Sequence, residues 1–149
     1  GSAVARLGEA MHRLLEHWRP GGDFRPAQLR GVALEFALAP AEVEQAAAMA
    51  RRILAGAGAW AWDPQVIDWQ DNEVELNHGG EALRLDRLVH RSDSGEWWVL
   101  DYKSAAQPQR DADLIAQMRR YEAAVAAAYP GAAVRSAFLT AQGQLVIVA

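Results

Sequence analysis

The 149-residue sequence predicts an α/β domain with a mixed central sheet and a helical N-terminal portion. Three observations carry that expectation. Helical periodicity fills roughly the first sixty residues and returns only between 111 and 129. Between these stretches lie three segments of alternating, β-branched and aromatic residues joined by turn sequences, the pattern of an antiparallel three-strand meander. Finally, the helix at 111–129 separates that meander from two short strands; a strand–helix–strand step crosses over right-handed and leaves two strands parallel.

Taken in order, residues 3 to about 18 place Leu7, Met11, Leu14, Leu15 and Trp18 on one helical face, and Pro20-Gly21-Gly22 ends the pattern. After Arg25-Pro26, residues 27–38 read as a second helix. Pro40 occupies a first helical position, with Val43, Ala47, Ala50 and Leu54 forming the face of a third helix up to Gly56-Ala57-Gly58. Residues 66–77 and 82–91 alternate around the turn His78-Gly79-Gly80, and 96–103 follows the turn at 92–95 as a third strand. Helix 111–129 carries Leu114, Met118, Tyr121 and Val125 along one face, has Asp111 and Asp113 near its start and stops at Tyr129-Pro130-Gly131. Strands at 133–140 and 144–148 flank Gln142-Gly143. Trp97 and Trp98 must face opposite sides of their strand, so at least one is expected in the core.

Composition narrows the chemistry. Cysteine is absent, which excludes disulfides, thiol nucleophiles and an iron–sulfur cluster in this domain. No apolar run approaches the roughly 18 residues of a membrane span, so no membrane partner is expected, and the absence of cysteine fits a reducing, cytoplasmic compartment. Fifteen basic against nineteen acidic residues give a net charge of −4, so contact with a polyanion would have to be local or assisted by a cation. Lys103 is the single lysine among the fifteen basic residues, and unlike arginine it can give up a proton. Gly1-Ser2 reads as an expression scar, and residues 3–149 as a single domain cut from a longer protein. The ATP-binding pattern G-x-x-x-x-G-K-[ST] is missing, so this stretch is not itself a motor.

The most informative segment is Asp86 in RLDRLV followed by Asp101-Tyr102-Lys103 in WWVLDYKS. Residues two apart on a strand share a face, so Asp101 and Lys103 point the same way. If 82–91 pairs with 96–103 around the intervening turn, Asp86 lies opposite or diagonal to 101–103. Two carboxylates so placed can hold Mg²⁺, and a lysine beside them can orient an attacking water or offset developing negative charge. The plainer alternative is an exposed ion pair of small energetic value. Against that stands the apolar run Val99-Leu100, which implies burial, where an unpaired charge costs several kcal/mol. Arg84, Arg87, Arg91, Arg110, Arg119 and Arg120 are candidate phosphate contacts, or simply solvated strand and helix faces.

With His12 in the first helix and Gln117-Met118-Arg119-Arg120-Tyr121 in the later one, these residues resemble the RecB-type nuclease branch of the PD-(D/E)xK superfamily. The string ALRLDRLVHRSDSGEWWVLDYKS is most similar to the C-terminal nuclease domain of AddA- or RecB-type helicase-nucleases, and the resemblance runs from His12 to Leu139. It implies a restriction-endonuclease-like core. Metal binding is implied for His12, Asp86, Asp101 and the backbone carbonyl of Tyr102, and a catalytic role for Lys103 beside Asp86 and Asp101. Gln117 and Tyr121 match the family's helix motif beside the site; as i and i+4 residues they share a helix face. Glu73, or its neighbour Glu75, takes the place of a strand glutamate. Arg84, Arg119 and Arg120 are the first candidates for DNA contact.

The implied activity is that of an exodeoxyribonuclease V-like enzyme, a Mg²⁺- or Mn²⁺-dependent DNA nuclease that hydrolyses phosphodiester bonds without a covalent intermediate. The implied setting is bacterial double-strand break repair and recombination. Single strands would be delivered by a helicase on a missing N-terminal part, next to an AddB-like or RecC/RecD-like subunit. A catalytically silent module of the same fold and a stand-alone exonuclease are the alternatives.

Overall fold

The computed structural model describes residues 2–149; Gly1, half of the expected scar, lies outside them. Ser2 accepts the Ala5 N–H at 3.1 Å and caps helix α1 (Ala3–His17), satisfying one of the donors a helix start leaves free. Helix α2 (Pro26–Glu35) begins one residue before the expected start and ends three residues before the expected stop. Its arrest comes from Ala37, a non-glycine residue at φ 52°, after which the Leu38 N–H turns back onto the Ala33 carbonyl at 2.9 Å. Helix α3 (Pro40–Ala55) starts on Pro40 as the sequence implies, and its Glu42 side chain closes the first turn on the Ala39 N–H.

A short 3₁₀ turn at Ala59–Trp62 leads into strand β1 (Ile67–His78), which forms a long antiparallel hairpin with β2 (Glu81–Arg91). Strand β3 (Trp97–Lys103) adds antiparallel to β2. Helix α4 (Ala112–Ala128) then crosses over so that β4 (Val134–Thr140) runs parallel to β3, and β5 (Leu145–Ile147) closes the sheet in the order β1-β2-β3-β4-β5. The meander, the crossover and the mixed sheet match the expected class, with strand and helix ends displaced by one to three residues.

Two apolar clusters hold the sheet between layers. On one face Met11, Leu14 and Leu15 of α1 and Ala46, Ala47 and Ala50 of α3 pack with Val89, Trp98, Leu100 and Tyr102. On the other, Met118, Tyr121 and Val125 of α4 pack on Leu85, Val99 and Phe138. Trp98 is buried in the first cluster; Trp97 lies on the opposite face, stacked on Tyr129 at 4.0 Å, as alternation requires.

The α3 exit is fixed by close backbone contact: the Ala57 N–H donates to the Gly143 carbonyl at 2.9 Å, and a Cβ on Gly56 would stand 2.4 Å from that same oxygen. Gly56→Ala is therefore expected to lose about 1–3 kcal/mol through overpacking. A urea melt measures this, and an unchanged midpoint would show that the 140–144 turn can move away.

Candidate active site

One irregularity in the hairpin sets up the site. β1 and β2 pair in constant register on both sides of residue 73, Asn72 with Arg87 and Val74 with Leu85, yet no pairing joins Glu73 to Asp86. Glu73 sits at φ 51°, a left-handed conformation that costs a non-glycine residue about 1–2 kcal/mol. The strand faces reverse there. Asn72 reaches Arg87 on the side of the N-terminal helices, whereas Val74 and Leu76 pack with Leu83 and Leu85 on the α4 side. Asp86 falls at the break, where β2 and β3 have also ceased to pair, and its Oδ2 accepts the Tyr102 N–H at 2.9 Å in place of a ladder carbonyl.

Around that point the structure brings together most of the predicted residues. The His12 Nε2–H donates to the Tyr102 carbonyl at 2.7 Å, and His12 Nδ1 stands 3.5 Å from Asp86 Oδ1. Asp101, 4% exposed, shares its strand face with Lys103, whose Nζ lies 2.9 Å from Asp101 Oδ2. Tyr121 projects from α4 into the neighbouring core, where burial, then the charges of Asp101 and Asp86, push its phenol up to about 12. Gln117, one turn earlier, is half-buried and makes no side-chain hydrogen bond among the described residues.

The predicted arginines separate. Arg84 lines the cleft and is paired with Glu73 at 2.6 Å. Arg120 reaches Glu81 at 3.4 Å, and Arg119 is tied to Glu122 and the Ala149 carbonyl.

Residues of the open cleft, about 550 Å³, include His12, Glu73, Arg84, Lys103 and Ser104. Its floor also holds Gly8, Glu9, Arg13 and Glu16, which the sequence reading did not single out. Helical spacing from His12 at −4, −3 and +4 would have found Gly8, Glu9 and Glu16, whereas Arg13, at +1, follows from its pairing with Glu16. Gly8 lets α1 approach β3 closely, since a Cβ there would meet Ser104 Oγ at 3.3 Å.

The electrostatics divide the two carboxylates. Burial pushes Asp101 up to about 7, assisted by the Asp86 charge and only partly opposed by Lys103. Asp86 is pushed up by burial too, but His12, with the Tyr102 N–H and Asp101 adding to it, holds it below the ordinary value. His12 is lowered by burial and raised by Asp86, with Asp101 and the Tyr102 carbonyl adding, for a net rise. The pair therefore holds one proton near neutrality, with the negative charge on Asp86.

Among the described residues no three His, Asp or Glu side chains surround a common point as they stand; imidazole, carboxylates and lysine bond to one another. Their chemistry nevertheless suits a hard divalent cation: carboxylate and carbonyl oxygens plus one imidazole. The buried Asp101 Oδ2, contacted by the Lys103 ammonium, accepts no well-aligned hydrogen bond and retains lone pairs for a cation.

Protonation competes with such binding. A raised Asp101 and a raised His12 stabilise the cation-free fold at low pH, and that contribution is lost as pH rises through their folded-state values, about 7 for Asp101. The increment in melting temperature given by Mg²⁺ is thus expected to be larger near pH 8 than near pH 5. Equal increments would mean the cation binds elsewhere.

The fold is thus a mixed sheet in which a strand break sets Asp86 beside the Asp101–Lys103 pair of the next strand. The sequence profile of the PD-(D/E)XK nuclease superfamily matches residues 1–147, and the chain belongs to that superfamily. Comparison with curated proteins finds no match. Nucleases of this superfamily generally use Mg²⁺ or Mn²⁺, and among the described residues no helix is long and apolar enough to cross a membrane.

Proposed function

We propose that the chain is a Mg²⁺- or Mn²⁺-dependent deoxyribonuclease domain that hydrolyses phosphodiester bonds of single-stranded DNA. The observation that carries this reading is the Asp101–Lys103 pair held beside Asp86 and His12 at the edge of an open cleft. Asp86, Asp101, His12 and the Tyr102 carbonyl would hold the cation. When bound, it supplies positive charge against the phosphoryl oxygens and makes the attacking water more acidic.

The chain's own groups supply the rest. Lys103, held by Asp101, places an ammonium where it can orient water and offset the charge that grows on phosphorus oxygens. Water attacks phosphorus and gives up a proton to solvent as the P–O bond forms, the bond to the leaving ester oxygen breaks, and that oxygen takes up a proton from solvent. Arg84 at the cleft wall is a phosphate contact once it releases Glu73, and Gln117 and Tyr121 support the site from α4.

The order of His12, Asp86, D-x-K and Q-x-x-x-Y supports a place in the RecB/AddA-type, exodeoxyribonuclease V-like branch. In that setting the domain trims strands delivered by a bacterial helicase during break repair and recombination, alongside an AddB-like or RecC/RecD-like subunit. The net charge of −4 accords with dependence on other parts for DNA capture.

End-labelled single-stranded DNA incubated with the protein tests this. Cleavage with Mn²⁺ and none with chelator is the expected result; intact DNA at high protein concentration would favour a silent module of the same fold.

A further inference from the structure

Arg87 is 1% exposed and carries the one guanidinium that the sequence offered for phosphate contact and the fold then buried. All its hydrogen bonds go to neutral acceptors: Nη1–H to Asn72 Oδ1 at 2.8 Å, and Nη2–H to the Ala61 carbonyl at 2.6 Å and Gln70 Oε1 at 2.5 Å. Among the described residues no carboxylate lies within ion-pair distance of it, Asp71 acting on it only through space, and its Nε–H is buried with no acceptor. It lies 4.6 Å from the centre of the Trp62 ring. A buried cation served only by neutral groups costs several kcal/mol unless an anion completes it.

A pocket of about 230 Å³ lies against this group, bounded also by Trp18, Arg19, Trp62, Asp71 and Asn72. Arginine can only donate, so the amides of Gln70 and Asn72 must turn their oxygens toward it and their NH₂ groups away. Asn72 Nδ2–H is spent on the Glu16 carbonyl at 3.1 Å, and the Trp18 indole N–H on the Gly22 carbonyl at 3.2 Å. The Gln70 NH₂ has no partner among the described residues, and the Arg19 and Arg87 side chains also line the pocket, which is therefore rich in donor groups. Asp71 opposes this with one negative charge, and two arginines against it leave a single positive charge, suited to a singly charged oxyanion.

The pocket is joined to the cleft. Asn72 stands between them, binding Arg87 on one side and Glu16, a cleft residue, on the other. Trp18 follows His12 by six residues, about 9 Å along the helix axis. We infer that this pocket is an oxyanion subsite that takes a phosphodiester group of the strand cut in the cleft, one or more nucleotides from the scissile bond. The inference rests on the nuclease reading for its ligand, and on Arg87, Arg19 and Gln70 for its chemistry.

The test uses the full chain with chelator present, so that no strand is cut, and follows the Arg87 Nε–H resonance. Inorganic phosphate, a short oligothymidylate and acetate are the probes. The resonance is expected to move with phosphate and with the oligonucleotide, in competition with each other. Gln70→Glu, which supplies the missing carboxylate, should weaken oligonucleotide binding about tenfold, while the same exchange at exposed Gln65 leaves it unchanged. An unmoved Arg87 resonance while His12 responds to the oligonucleotide would overturn the subsite and make Arg87 a purely structural tie. A response to acetate alone would overturn it in favour of a protein carboxylate. Should phosphate move Arg87 while the oligonucleotide moves nothing, the anion site stands and the DNA reading fails.

Discussion

Lys103→Met is expected to lower the rate of single-strand cleavage by about 10²–10³-fold, the usual cost of removing one positioned group that meets developing charge, while the protein stays folded. Folding survives because the lysine stands at the end of β3 with a side chain 24% exposed, and no backbone group depends on its ammonium. What it leaves behind is Asp101, which burial already drives to about 7 and which will keep its proton more tightly once its cationic partner is gone. The cleavage defect should therefore be accompanied by weaker cation binding near neutral pH and partial recovery at higher pH. Circular dichroism melts and timed digestion of labelled DNA read both parts. Undiminished cleavage would remove Lys103 from the mechanism.

The second large effect separates function from stability. Asp101→Asn keeps the shape of a side chain that is 4% exposed and removes a carboxylate whose charged form burial disfavours. The variant should lose cleavage by at least the factor expected for Lys103→Met and lose the melting increment produced by Mg²⁺. In the absence of cation it should melt higher than the parent, by about 2–4 °C per kcal/mol gained. The sign follows from linkage. A folded-state value raised to about 7 against 3.8 in the unfolded chain means that ionised Asp101 destabilises the fold above neutrality, so the gain should grow from acid to alkaline pH. A stability loss at every pH would show that Asp101 is a structural ion-pair partner of Lys103. Trading stability for a strained, charge-bearing site is the general pattern at catalytic centres.

Much of this was readable before any coordinates. The apolar spacing of α1, the turns at 78–80 and 92–95, and the Tyr129-Pro130-Gly131 stop give local signals that need no tertiary context. The period of a strand puts Asp101 and Lys103 on one face, and the short 92–95 turn brings Asp86 near them.

What was hidden depends on contacts between distant segments. Nothing in the string NEVEL announces that Glu73 adopts a left-handed conformation, yet that break turns Asp86 out of the β ladder. Arg87 follows Asp86 in sequence and reads as one more strand-face cation; only the packing of Ala61, Trp62 and Asn72 around it shows a buried guanidinium. The early end of α2 at Glu35 rests on a left-handed alanine, a residue that carries no stop signal. Arg119, a DNA-contact candidate by its nearness to the site in sequence, bonds Glu122 and the last residue of the chain, contacts that the sequence does not announce.

A crystal soaked in Mn²⁺ at slightly alkaline pH, measured for the anomalous signal of manganese, tests the centre itself. A peak bounded by Asp86, Asp101, the Tyr102 carbonyl and His12, with His12 Nε2 turned off that carbonyl and Lys103 still beside Asp101, is the predicted result. Manganese bound only outside that cluster, or none at saturating concentration, would contradict it.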